Sequence, residues 1–547
     1  MLGQMMNRPL LISMIARHAE QWHPNREIVS ITADNPRHRY TYREAFARAR
    51  KLTNALVKNG IVHGDRIATL AWNDYRHFEI YYGVSCAGFI CHTINPRLFE
   101  DQIAYIANHA EDRWLFLDPA FLPLIEKLQS RISRVERFVV LTDAANMPQT
   151  SLPNAISYES LIADESSDCE WPQFDENTAS SLCYTSGTTG DPKGVLYSHR
   201  STLLHCLSSA LPDADNLSGN DVILPVVPMF HVNAWGMPYS GAMVGAKFVF
   251  PGAKMGDPET IQELIESEKV TLAAAVPTVW QGMLAYLEKS GKRLDSLQRV
   301  LSGGSAVPVS LMDQLRDRYD VQVMHAWGMT ETSPIGTVCT YSPEAHSLDA
   351  ERRNALRAKQ GRCVFGIEMK IVDDGDRPLP HDGKTFGALK VRGSWVASGY
   401  FKNDTADVFD PTGWFSTGDV ATICPLGYMQ ITDRTKDVIK SGGEWISSIE
   451  LENLAVSHPA VAQAAVISIA HPKWQERPLL VVVLKPGQSA TREDLLNFYL
   501  GKVAKWWIPD DVVFVDKLPL TATGKLSKLQ LRQQFADYRL PELLACT

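Results

Sequence analysis

The chain has 547 residues, 45% hydrophobic and 21% charged, an ordinary balance for a globular enzyme but longer than one hydrophobic core supports, so roughly two to four domains are expected. A net charge of −8 gives no electrostatic footing for nucleic acid. The nine cysteines are scattered and odd in number, with no Cys-x-x-Cys pair, which argues against a disulfide framework or a zinc site and for a reducing, cytoplasmic setting. No uncharged apolar run reaches transmembrane length.

In chain order, Leu10, Leu11, Met14, Ile15, His18 and Trp22 keep helical spacing, so the apolar run after Arg8 reads as a packed amphipathic helix rather than a signal segment. Thr41 and Glu44 form a capping box, and Gly60 stands where the following helix should stop. Strand-like runs follow at Val222–Val227, Lys247–Phe250, Val270–Val276, Arg299–Leu301 and Val321–His325, with helical stretches at Asp257–Glu268, Thr278–Lys289 and Pro308–Tyr319. This alternation predicts an α/β fold with parallel sheets flanked by helices. Polar, glycine-rich motifs fall just after strands, the end at which open α/β sheets bind ligands. From about Gly361 the runs shorten (Glu368–Val372, Ala388–Val391, Tyr428–Thr432) between Gly, Pro and Asp turns, which predicts a small antiparallel or barrel-like β subdomain. About 110 residues follow the charged turn Thr432–Asp437, enough for a small α+β domain. The expected division is 1–435 and 436–547.

The most informative stretch is Tyr184–Gly194, Tyr-Thr-Ser-Gly-Thr-Thr-Gly-Asp-Pro-Lys-Gly. Gly187 and Gly190 permit a tight turn that presents backbone N–H groups to an anion. Thr185, Ser186, Thr188 and Thr189 add hydroxyl donors and Lys193 a positive charge, a set suited to a polyphosphate. The Walker A pattern fails, because Pro192 precedes Lys193 and Gly194 follows it.

Further motifs come in order: Pro228–Trp235 (PMFHVNAW), Ser302–Ser305 (SGGS), His325–Pro334 (HAWGMTETSP), Ser416–Asp419 (STGD), Ile439–Glu444 (IKSGGE) and Pro519–Lys525 (PLTATGK). Alone, several are bland: Ser416–Asp419 is also a plain turn, and Glu331 is also a surface carboxylate. In this order, and with the Tyr184–Gly194 loop, they resemble the adenylate-forming superfamily of acyl-CoA synthetases, luciferases and peptide-synthetase adenylation domains over nearly the whole chain. The likeness is closest to bacterial medium- and long-chain fatty-acyl-CoA ligases, notably from His231 to Pro251 and Lys440 to Ile446.

The resemblance implies roles. Thr185, Ser186, Gly187, Thr188, Thr189, Gly190 and Lys193 would hold the phosphates of ATP. Gly303, Gly304 and Ser305 would let a flat base approach the backbone, with Trp327, a tyrosine in many relatives, stacked on the adenine. Thr330 would touch phosphate and Glu331 would hold Mg2+, which commonly takes one carboxylate plus substrate phosphates. Asp419 with Arg434 would take the ribose hydroxyls, and His231 would lie beside the reacting carboxylate. Lys436 is the expected hinge of a mobile C-terminal domain, and Lys440 is presented in the second half-reaction. Ser441, Gly442 and Gly443 would pass the pantetheine arm of coenzyme A. Lys525 would offer a mobile charge to the phosphoryl oxyanion, and Trp235 would gate an apolar acyl tunnel.

The expected activity is ATP-dependent ligation of a fatty acid, medium chain favoured and long chain allowed, to coenzyme A through an acyl-adenylate, with release of AMP and pyrophosphate. Ligation of 3-methylthiopropanoate, adenylation for a carrier protein and a luciferase-like oxidase stand as alternatives. Some similar ligases are homodimers, and the resemblance extends that expectation here.

Overall fold

The computed structural model describes the chain except Leu2, residues 186–190, 404–407, 443, 521–525 and 541–547, and the side chain of Glu444. Two compact units result: Met1–Glu368 with Arg392–Phe415, and Met369–Val391 with Ser416–Thr547.

The first unit holds two sheets. One orders its strands Ile156–Ser157, Arg137–Val140, Trp114–Leu117, Arg66–Leu70, Ile90–Thr93, Ala179–Tyr184 and Gly194–Ser198. All of its pairings are parallel except the last, which is antiparallel. The other runs Arg362–Cys363, Ile335–Val338, Gln322–Gly328, Arg299–Ser302, Leu272–Ala275, Val222–Pro225, Lys247–Phe250, Glu27–Ser30 and His38–Thr41. Its middle pairings are parallel. Inner strands such as Trp114–Leu117 and Leu272–Ala275 are buried at every position, as parallel strands covered on both faces must be. The expected α/β class is borne out.

Local signals set the helices. Thr41 and Glu44 make the capping box that starts Tyr42–Lys58, and Gly60 follows with φ of 82°. Asp257 caps Pro258–Glu268, with proline at the first helical position. Leu10–Trp22 becomes the helix Ile12–Trp22, whose Ile12, Ile15 and Ala19 are buried. The parallel neighbours Val222–Pro225, Leu272–Ala275, Arg299–Ser302 and Gln322–Gly328 bring their C-terminal ends to one edge, and three of them lead into polar motifs.

The second unit carries most of the sheet Ile367–Val372, Gly387–Gly393, Phe415–Ile423 and Met429–Arg434, in that order, the last two strands antiparallel. It also carries a sheet of Glu444–Ile446, Ile439–Ser441, Gln475–Leu484 and Val461–His471, with Asp511–Phe514 parallel to Gln475–Leu484. The helices Ser448–Val456, Arg492–Phe498 and Lys528–Gln534 accompany it. Among the described residues no helix is long and apolar enough to cross a membrane.

Candidate functional site

The strand Ala179–Tyr184 pairs back with Gly194–Ser198, Tyr184 opposite Gly194. The neck of the loop between them is closed twice. The Thr185 N–H donates to the Lys193 carbonyl at 2.9 Å, and the Lys193 N–H donates to Thr185 Oγ1 at 3.1 Å. Ser186, Gly187, Thr188, Thr189 and Gly190 lie outside the described residues.

Beside this neck stands a three-residue relay, Lys193–Tyr400–Glu331, of which sequence reasoning missed Tyr400. The Lys193 ammonium lies 4.9 Å from the centre of the Tyr400 ring, within cation–π range. The Tyr400 hydroxyl donates to Glu331 Oε1 at 2.6 Å. Burial first, then the Glu331 charge, pushes the Tyr400 phenol well above its ordinary pKa, so it stays a donor at neutral pH. Two backbone bonds strap the segment in place: Ala397 N–H to the Glu331 carbonyl and Phe401 N–H to the Gly194 carbonyl, each 2.8 Å. Nothing in the local sequence around Tyr400 singles it out.

Glu331 itself is only 5% exposed, so the bland reading as a surface carboxylate is corrected. It sits in the short turn Thr330–Thr332. Tyr197 donates to the Thr330 carbonyl at 2.6 Å, which fixes that turn to the strand leaving the loop. A buried carboxylate oriented by a phenol is a hard oxygen ligand. Among the described residues no three His, Cys, Asp or Glu side chains group as metal ligands. The single hard carboxylate of Glu331 fits an ion that takes one protein carboxylate and completes its shell with phosphate and water oxygens, the habit of Mg2+.

Trp327 is buried on the strand Gln322–Gly328. A β-carbon at Gly336 would stand 2.4 Å from its Cζ3, so glycine there gives the indole its seat. On the adjacent strand end, a β-carbon at Gly303 would stand 2.7 Å from the Ala326 carbonyl oxygen and 3.6 Å from Trp235 Cη2. Gly304 has φ of 80°, and both Gly304 and Ser305 are exposed. Bare backbone is thus presented where the motif predicted approach of a flat base, and the Trp235 indole tip reaches the same point.

His231 precedes an unusual turn. Val232, Asn233, Ala234 and Trp235 have φ of 47°, 52°, 49° and 57°, a left-handed turn made without glycine. Each such residue costs about 1–2 kcal/mol, and strain of this kind concentrates at functional sites. The turn is closed by Ala234 N–H to the Pro228 carbonyl (3.2 Å) and Gly236 N–H to the Asn233 carbonyl (3.0 Å). Val232 packs in a small apolar cluster with Cys183, Val195 and Tyr197, against which Ala397 and Tyr400 lie. Contacts therefore connect the loop neck, the His231 turn and the Glu331 turn. Cys183 is buried and its thiol is pushed up to about 11 by burial, a packing residue rather than a nucleophile.

The second unit holds the remaining described candidates. Asp419 and Arg434 face each other across an antiparallel pair and form an ion pair of 2.9 Å, Asp419 buried and Arg434 half exposed. Lys436 lies next along the chain, its pKa drawn down chiefly by partial desolvation, with Asp437 opposing and Arg434 and Arg532 adding. Lys440 is exposed; its N–H donates to the Glu476 carboxylate at 2.8 Å, and its ammonium lies 5.7 Å from the Trp445 ring. Ser441 Oγ accepts from Arg477 at 3.2 Å. Gly442, with φ of 61°, donates to the Trp474 carbonyl at 2.9 Å, and a β-carbon there would stand 2.9 Å from that indole. Sequence reasoning missed Trp474, although a tryptophan in the charged stretch His-Pro-Lys-Trp-Gln-Glu-Arg was a signal. Gly443 and Lys525 lie outside the described residues. The ends flanking Lys525 are joined by a Leu520–Leu526 bridge and by Ser527 N–H to the Pro519 carbonyl at 2.9 Å.

Comparison with known proteins covers nearly the whole chain. The sequence pattern described as AMP-binding enzyme matches residues 15–401, and that described as AMP-binding enzyme C-terminal domain matches 450–525. A 3-methylmercaptopropionyl-CoA ligase of Ruegeria lacuscaerulensis is 53% identical over 98% of this chain and 99% of its own. A medium-chain-fatty-acid–CoA ligase of Ectopseudomonas oleovorans is 51% identical over 99% and 98%. A long-chain-fatty-acid–CoA ligase of Thermus thermophilus is 45% identical over 94% and 93%. Among solved structures, an anthranilate CoA ligase in complex with anthranoyl-AMP superposes with a TM-score of 0.84 at 26% identity, covering 98% of this chain and 99% of that one.

Proposed function

The chain belongs to the AMP-binding enzyme family, and from that premise we propose that it joins a fatty acid, medium chain favoured, to coenzyme A through an acyl-adenylate. The acid's carboxylate oxygen attacks the α-phosphorus of ATP and pyrophosphate leaves. The thiol of coenzyme A then attacks the acyl carbon, AMP leaves, and the thioester forms. A carboxylate is a poor electrophile and AMP a good leaving group, so adenylation supplies the activation and no covalent enzyme intermediate is needed.

The observation that carries this reading is the Lys193–Tyr400–Glu331 relay beside the loop neck. A cation and an oriented, buried carboxylate beside the Thr185–Lys193 neck suit the phosphates of ATP. Lys193 and Lys525 offset charge on the phosphoryl oxygens. Glu331 holds Mg2+, which when bound neutralises phosphate charge. Trp327 and the bare backbone at Gly303 and Gly304 accept the adenine, Asp419 and Arg434 the ribose hydroxyls, and Thr330 a phosphate oxygen. His231 attends the reacting carboxylate. Lys436 is the hinge between functional domains 1–435 and 436–547, and Lys440, Ser441, Gly442 and Gly443 serve the coenzyme A step. For the acid, the 51% identity to a medium-chain ligase and the Trp235 indole at Gly303 support an apolar chain.

A second reading takes 3-methylthiopropanoate, a short sulfur-containing acid, and the 53% identity to a ligase of that class favours it. Initial rates of AMP formation with coenzyme A, on saturated acids from acetate to stearate and on 3-methylthiopropanoate, separate the two. The same panel without coenzyme A tests the adenylation step alone.

A further inference from the structure

The left-handed turn Val232–Trp235 needs an explanation that its own backbone bonds do not supply. Valine, alanine and tryptophan gain nothing from that conformation, and only asparagine among its four residues tolerates it readily. Asn233 is 5% exposed, and both polar atoms of its side chain are engaged. Its Nδ2 donates to Ser181 Oγ at 3.1 Å. Its Oδ1 accepts from the Cys183 thiol at 3.5 Å and lies 3.3 Å from the Tyr81 hydroxyl, which itself donates to the Met229 carbonyl at 2.5 Å. Ser181 and Cys183 belong to the strand Ala179–Tyr184, which runs directly into the phosphate loop. His231 lies two residues before Asn233 and Trp235 two residues after.

We propose that Asn233 is a positioning residue for acid selection: its amide ties the strained turn to the phosphate-loop strand and so fixes His231 and Trp235 against the place where the carboxylate meets the α-phosphate. This deepens, and rests on, the ligase reading above. A side-chain anchor explains why four consecutive residues hold a conformation that three of them disfavour. It also joins the turn that follows His231 and ends in Trp235 to the strand Ala179–Tyr184, the kind of fixed placement a near-attack geometry requires.

The test compares wild type with Asn233→Gly, Asn233→Ala, Ser181→Ala and the Asn233→Gly/Ser181→Ala double variant. Glycine adopts left-handed φ freely, so Asn233→Gly removes the anchor while relieving the strain. The measurements are KM for acid and for ATP, the chain-length profile of kcat/KM, and thermal melts. Asn233→Gly and Asn233→Ala should both raise the KM for acid about tenfold or more and flatten the chain-length profile, with little change in the KM for ATP. Ser181→Ala should move in the same direction, and the double variant should be no worse than Asn233→Gly, as coupling through one bond requires. A wild-type acid KM and profile in Asn233→Gly would overturn the proposal and leave Asn233 serving backbone conformation only; equal rises in both KM values would overturn it as general damage. If wild type forms no AMP with any acid, the ligase reading fails, and acrylamide quenching of Trp235 still judges the anchor. That signal is the difference between each protein and its Trp235→Phe counterpart. Increased access to Trp235 in Asn233→Gly supports the anchor, and unchanged access contradicts it.

Discussion

Tyr400 donates a 2.6 Å hydrogen bond to Glu331 while its ring faces the Lys193 ammonium at 4.9 Å, so one side chain orients both a carboxylate and a cation. Tyr400→Phe keeps the ring and removes only the donor. Groups that orient a metal-binding carboxylate are typically worth 10–100-fold in metal affinity or activity, so about a tenfold or greater rise in the Mg2+ concentration for half-activation is expected. Tyr400→Ala should add a weaker grip on ATP, because Lys193 loses its ring. Magnesium titrations at fixed ATP check the first effect and ATP KM values the second.

Glu331→Gln should weaken the magnesium dependence more than Tyr400→Phe does, since a neutral amide is a poor ligand for a hard cation. An unchanged activation curve in Glu331→Gln would remove Glu331 from the metal shell and leave the relay a structural one.

Much of this was legible in the sequence because it depends on local chemistry. Lys247–Phe250 is a strand at the residues its apolar run marked, and Thr41 with Glu44 makes the expected box. The order of the glycine-rich motifs carried the family. What the sequence hid depends on contacts between distant segments. Tyr400 meets Glu331 across 69 positions. The burial of Glu331 comes with packing against segments far away in the chain, through Tyr400, Ala397 and Tyr197. The left-handed turn after His231 contains none of the glycine that usually announces positive φ, and the packing that holds it comes from the strand Ala179–Tyr184 and the helix Tyr75–Ser85.

Buried histidines set the acid side of stability. Burial lowers His77 and His325 to about 4, and His199 and His205 to about 3. The unfolded chain takes up these protons from about 6.5 downward and the folded one does not, so each contributes stability above about 6.5 that is lost as pH falls toward its folded value. The slope is about 1.4 kcal/mol per pH unit for each. Asp74 and Asp215, raised by burial to about 7, have the opposite sign over the window from about 4 to 7, and burial raises Glu79, Asp112 and Asp118 in the same direction, so the imidazole contribution is read as a difference between proteins. Urea melts of His205→Gln, which carries no titrating imidazole there, should show a shallower loss of stability below about pH 6.5 than wild type. The same slope in both would contradict the burial assignment of His205.

Lys528, three residues beyond Lys525, is buried and pairs with Glu452 at 2.8 Å. Desolvation draws its pKa down, but Glu452 and Asp433 outweigh that and raise it. Lys528→Met would leave both carboxylates buried without their cation, at a cost of about 3–5 kcal/mol, read as a lowered denaturation midpoint of the second unit. Lys525→Ala should leave that midpoint unchanged and instead cripple adenylation far more than thioester formation from supplied acyl-adenylate. Single-turnover assays of the two half-reactions decide this, and equal losses in both would contradict the assigned role.

Formation of fatty-acyl-CoA through an acyl-adenylate is tested most directly by kcat/KM across acids from acetate to stearate together with 3-methylthiopropanoate, with AMP, pyrophosphate and thioester all quantified. Each methylene buried in an apolar tunnel contributes about 0.8 kcal/mol, or about fourfold. Equimolar products are expected, with a rise over successive carbons to a medium-chain optimum, displaced or flattened in Trp235→Ala. An optimum at 3-methylthiopropanoate would contradict the fatty-acid assignment, and AMP formation without thioester in the presence of coenzyme A would contradict the ligase itself.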